Sequence, residues 1–123
     1  MLKRLLKGIF EEPPPPRMAG ATITLFGPIP GLMHHSSIGL FCKNNKLNGW
    51  LYPHTSGDLE IYVEGPQERI SKLLEKLKNG SLLPCRAPME MMWLPYLKEY
   101  TFFKVEVIGS EKPRISRSGD YRP

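Results

Sequence analysis

Residues 27–37 read GPIPGLMHHSS, and they join an apolar run to a run of helix formers. Glycines at such a junction shape loops whose backbone N–H groups face an anion, and a helix that follows adds the positive end of its dipole. The candidate donors are the N–H groups of Ile29, Gly31, Leu32, Met33, His34 and His35. Pro28 and Pro30 supply none, because proline has no N–H. His34 and His35 bring imidazoles with an ordinary pKa of about 6.5, mostly neutral at pH 7 unless a partner raises them. Adjacent side chains diverge, and no Asp or Glu lies near them in sequence, so a convergent metal site is not expected. His54 follows Pro53, and strand alternation through Pro53 would turn it away from the loop. The chemistry on offer is therefore anion binding or a pH-sensitive charge.

The elements that must position this loop are legible from periodicity. Ala21 to Phe26 is β-branched and apolar, a strand, and the spacing predicts a helix over 35–46 with Ile38, Phe41 and Cys42 on one side. Asn48 to Tyr52 is a second strand, and His54-Thr55-Ser56-Gly57-Asp58 a turn. Leu59, Ile61 and Val63 alternate with Glu60, Tyr62 and Glu64, a half-buried strand that completes a hairpin. Gly65-Pro66 opens a second helix, whose Ile70, Leu73, Leu74 and Leu77 form the i, i+3, i+4, i+7 stripe that Asn79-Gly80 ends. Arg86 to Trp93 reads as a strand in which Met89, Met91, Met92 and Trp93 provide core and edge packing. In Thr101 to Val107, Phe103, Val105 and Val107 alternate with Phe102, Lys104 and Glu106, a last strand. Asn44, Asn45 and Asn48 read as capping and turn residues.

The order β-α-β-β-α-β predicts an α+β, ferredoxin-like sandwich: two helices on one face of a mainly antiparallel sheet, with one extra C-terminal strand. The folded domain is placed at 18–108. Before it, residues 1–17 form a basic amphipathic arm (Leu2, Leu5, Leu6, Ile9 and Phe10 among Lys3, Arg4 and Lys7) and a stiff Pro13–Pro16 spacer. Such an arm docks on its own domain or frays, or it reaches a partner or an anionic membrane surface. After the domain, residues 109–123 read as a flexible basic tail. The net charge of +5 divides as +2 in residues 1–17, +1 in the middle and +2 in residues 109–123. A basic charge confined to the tails argues against nucleic acid as the main partner. No apolar stretch is long enough to span a bilayer, and the first residues lack the form of a secretory signal. Cys42 and Cys85 fit neither a zinc spacing nor a disulfide framework. A cytoplasmic setting is the expectation, and the oligomeric state is left open.

Gly27 and Gly31, Gly49-Trp50, Gly57, Gly65-Pro66, and Tyr100 with Phe103 together resemble the acylphosphatase family over about residues 21 to 107. The family's loop, roughly G-x-V-Q-G-V-x-F-R, falls on GPIPGLMHH, and its G-W-V-x-N falls on GWLYP, with no gap between the two. The resemblance implies hydrolysis of a carboxyl–phosphate anhydride without metal or cofactor. Loop N–H groups wrap the phosphate, an arginine clamps its oxygens and an asparagine orients the attacking water. Phosphoryl transfer depends on such positioning and charge stabilisation, which a bidentate guanidinium supplies. The resemblance carries that arginine to His35, the asparagine to Pro53, the phenylalanine to His34 and the loop glutamine to Pro30. Losing one well-placed electrostatic donor typically costs about 10²–10³ in rate, and two would be missing. The leading expectation is a non-catalytic acylphosphatase-like domain acting as a binding module, with weak phosphate binding at Gly31, Leu32, Met33, His34 and His35. The alternatives are a working acylphosphatase with His35 as cationic ligand, and an adaptor contacting an acidic partner, RNA or a membrane through residues 1–16 or 109–123.

Overall fold

The computed structural model describes residues 17–29, 32–83 and 87–114. The expected arm (1–16), Pro30, Gly31, Cys85, Arg86 and the segment 115–123 lie outside the described residues, and of Leu32 and Met33 only the backbone is described. The elements run β1 (Met18–Leu25), α1 (Leu32–Asn44), β2 (Asn48–Pro53), β3 (Leu59–Pro66), α2 (Gln67–Lys78), β4 (Met89–Leu94) and β5 (Phe103–Val105). The strand order is β4-β1-β3-β2-β5. Three pairings are antiparallel, and β5 joins β2 in parallel. This is the ferredoxin-like sandwich with its extra strand.

Alternation builds the core. Ala21 and Ile23 of β1 stand beside Val63 and Ile61 of β3, and Leu51 of β2 stands beside Ile61. With Ile38 and Cys42 of α1 and Ile70, Leu73 and Leu77 of α2 they form one buried cluster. Each such aliphatic side chain contributes about 1.5–3 kcal/mol when fully buried. Asn45 closes α1 as expected: its side-chain amide donates to the Phe41 carbonyl at 2.8 Å. Cys42 is a free thiol in the core, and burial pushes its pKa up to about 12.

Five expectations need correction. The first helix starts at Leu32, three residues before the expected His35, because Leu32 and Met33 are good helix formers and no proline follows Pro30. Leu74 stands at the edge of the buried stripe, only partly covered, while Ile70, Leu73 and Leu77 are buried. The last strand ends at Val105, which leaves Val107 61% exposed. Met89 and Met91 pack against the core, but Met92 and Trp93 of the same edge strand are exposed.

The fifth correction concerns β3, which is not half-buried. Tyr62 and Glu64 point away from the helices, yet both are buried. The chain between β4 and β5 folds over them. Glu99 donates its N–H to both Glu64 carboxylate oxygens, at 2.7 and 3.0 Å, and Tyr100 donates to Oε2 at 2.9 Å. Trp50 and Tyr100 flank Tyr62, with ring centroids at 6.0 and 5.8 Å. The start of the expected tail is also held on this face. The Tyr52 hydroxyl donates to the Ser110 carbonyl at 2.7 Å, Lys112 pairs with Glu60 at 2.9 Å, and the Tyr100 hydroxyl donates to the Arg114 carbonyl.

Candidate functional site

The loop after β1 is tied to the β2–β3 turn rather than left open. Phe26 donates its N–H to the Pro88 carbonyl at 2.9 Å. Gly27 then donates to Asp58 Oδ1 at 2.8 Å, and Ile29 to the Gly57 carbonyl at 2.9 Å. This approach demands glycine on both sides. A Cβ on Gly27 would stand 2.1 Å from the Gly57 carbonyl oxygen, and Gly57 itself holds φ +99. Sequence spacing signalled these two glycines, but it missed Asp58. The contact spans 31 residues, and HTSGD reads as an ordinary hairpin turn until the register is known. Ile29, one of the expected anion donors, is committed inside the protein.

The remaining described donors belong to the first turn of α1, Leu32 to His35, where helix geometry leaves the leading N–H groups without intrahelical acceptors. They are the described groups on which the expected anion binding would rest. The earlier helix start changes the histidines. His35 lies a full turn inside α1, on the stripe with Ile38, Gly39 and Cys42, and it is only 4% exposed. Its Nδ1 is buried without a partner. Burial lowers its pKa below the ordinary histidine value, and the neighbouring His34 lowers it further. His35 is therefore neutral at pH 7 and brings no positive charge to the loop. His34 is half-buried at the rim.

Pro53 is buried at the end of β2, in register with Leu59, and presents no hydrogen-bonding side chain. His54 stays apart from the loop: its Nε2 meets Glu60 Oε1 at 2.9 Å, and its ring stands edge-on to Tyr52. Among the described residues no group of three His, Cys, Asp or Glu side chains could hold a metal ion. The structure thus brings together the Gly27–Ile29 loop, Gly57 and Asp58. It leaves His54 and the three asparagines outside.

A ferredoxin-like sandwich with a glycine-shaped loop running into its first helix defines the class. Residues 21–105 match the acylphosphatase family profile, and the chain belongs to that family. It is 27% identical over 89 residues to an acylphosphatase of Pyrobaculum aerophilum, a match covering 72% of this chain and 94% of that protein. The fold is shared with the crystal structure of acylphosphatase from Bacillus subtilis, with a TM-score of 0.64, 22% identity and coverage of 72% of this chain and 99% of the other. It is also shared with full-length HypF in its phosphate- and nucleotide-bound form, with a TM-score of 0.67 and 22% identity. That likeness covers 79% of this chain but only 13% of HypF. Among the described residues no helix is long and apolar enough to cross a membrane.

Proposed function

We propose that this chain is an acylphosphatase-family domain that binds a phosphate-like anion weakly at the start of α1 and does not hydrolyse acyl phosphates by the family's mechanism. The observation that carries this reading is His35. At the position to which the resemblance carries the clamping arginine stands an imidazole turned onto the buried stripe of α1 and held neutral by burial. A neutral ring with one unpartnered nitrogen can at best share a hydrogen bond with a phosphate; it cannot neutralise one. Pro53, at the position carried over from the water-orienting asparagine, has no group with which to orient anything. Asp58 adds a carboxylate to the loop mouth, which opposes an anion further. What supports retained binding is the helix start, whose N–H groups do not depend on side chains.

Titration with inorganic phosphate, followed by amide NMR, tests the binding. Shifts confined to residues 31–35, half-saturated in the millimolar range or above, are expected, because backbone donors without a cation bind weakly. Silent loop amides would remove the binding reading. The second reading, a working hydrolase, rests on the relatives named acylphosphatase. It requires His35 to become protonated, and because burial lowers its pKa, turnover would rise only as pH falls below the ordinary histidine range.

A further inference from the structure

Away from the loop, at the opposite end of α1, a cleft of about 430 Å³ lies between the helices. Asn44, Asn45 and Lys46 line it from the end of α1, and Glu68, Arg69 and Lys72 from the first turns of α2. Three cations face one carboxylate. Among the described residues no ion pair joins Lys46, Arg69 or Lys72 to an acid. Arg69 is fixed on the wall by donating from Nη1 to the Asn45 carbonyl at 3.0 Å, which leaves its other donors available. Lys46 closes α1 at φ 58, a left-handed conformation that lysine rarely adopts, and this turn places it at the cleft. The cleft opens along α2 into a wider groove of about 760 Å³, which shares Glu68 and Lys72 with it. Half-buried Leu74 and exposed Glu75 line that groove.

The N-terminal chain enters at this place. Gln67, the first residue of α2, donates its N–H to the Arg17 carbonyl at 2.7 Å. Glu12 stands five residues before Arg17, and five residues span at most about 17 Å. Lys72 stands five residues along α2, about 7.5 Å of helical rise, so the cleft falls within that reach. Glu11 and Glu12 are the first residues beyond the prolines. Their two negative charges match the net charge of the cleft, three cations less Glu68. Phe10, Ile9, Leu6 and Leu5 are apolar and Lys3, Arg4 and Lys7 basic, side-chain types complementary to Leu74 and Glu75.

We propose that residues 1–12 dock on their own domain along α2, with Glu11 and Glu12 in the Lys46–Arg69–Lys72 cleft and the apolar stripe over Leu74. The test uses the full chain and three variants: Glu11→Lys/Glu12→Lys, Lys46→Glu/Lys72→Glu, and the two combined. Amide NMR should show residues 44–46 and 68–78 shifting in each double variant and returning toward the parent positions when the charges are reversed together. Trypsin cleavage after Lys3, Arg4 and Lys7 should quicken by about fivefold in each double variant, as the loss of a surface charge pair predicts, and slow again in the combination. Charge reversal that leaves α2 unmoved, or a combination that restores neither readout, overturns the proposal. So do α2 shifts that depend on protein concentration, which would place a second copy's arm in the groove. So does inorganic pyrophosphate binding to the cleft equally in the parent and in Glu11→Lys/Glu12→Lys, which would show a cleft open to free anions.

Discussion

Leu73→Asp is expected to abolish cooperative unfolding in urea. Leu73 is fully buried on the inner face of α2 against the sheet. A carboxylate there would lie among Ile70, Leu77 and the β-strand aliphatics, with no partner for its charge. Even Leu73→Ala should cost about 2–5 kcal/mol through lost transfer energy and the cavity left behind. Leu74→Asp is the control. Leu74 is one residue further on and faces the open groove on α2, so its aspartate keeps contact with water. We expect that variant to unfold cooperatively with a modest loss. Equal damage from Leu73→Asp and Leu74→Asp would mean that α2 is rotated from the orientation described.

The second large effect is expected at Glu64. Its buried carboxylate is the acceptor that holds the chain at Glu99 and Tyr100 against the back of the sheet. Glu64→Ala leaves two backbone N–H groups without that acceptor. Both donors are half-buried, so at about 1–2 kcal/mol for each one left unsatisfied a loss of roughly 2–4 kcal/mol is expected. Burial raises the pKa of Glu64; the backbone N–H groups of Tyr100, Glu99 and Lys98 pull against it, the Glu99 charge adds to it, and the net direction is upward. The sign of the linkage follows. The folded state holds this proton more tightly than the unfolded chain, so the stabilisation it gives is complete below the ordinary glutamate value. It is lost as pH rises from there through the raised folded value. Urea midpoints at steps from pH 4 to pH 7 should therefore fall more steeply with pH for the parent than for Glu64→Gln, whose amide keeps an acceptor and does not titrate. Parallel curves would show that Glu64 ionises as it does in water.

These residues also show what the sequence carries. The order of elements and the inner face of the sheet were legible because Leu59, Ile61 and Val63 repeat with period two, while Ile70, Leu73 and Leu77 repeat with the helical period. The second face was not legible. Tyr62 and Glu64 look like solvent-side residues in an alternating strand, and only the return of residues 99–100, some 35 positions later, buries them. Leu74 fits the helical stripe as well as Leu73 does, and the tilt of α2 on the sheet decides between them. In the loop, Gly27 and Gly57 stood out by spacing, while Asp58 became part of it only through the hairpin register. The fate of His35 turned on where α1 begins. A start at His35 leaves its ring free at the helix end, and a start three residues earlier turns it into the core.

That turn of His35 is the centre of the functional reading, and hydrolysis of benzoyl phosphate at pH 7 tests it most directly. The full chain is assayed beside the acylphosphatase from Bacillus subtilis under the same conditions. Without a cationic clamp or a water-orienting amide, turnover at least about a thousandfold below that enzyme is predicted, since each missing donor is worth about 10²–10³. Turnover within tenfold of that enzyme would contradict the reading, and would mean that this loop catalyses without the arginine.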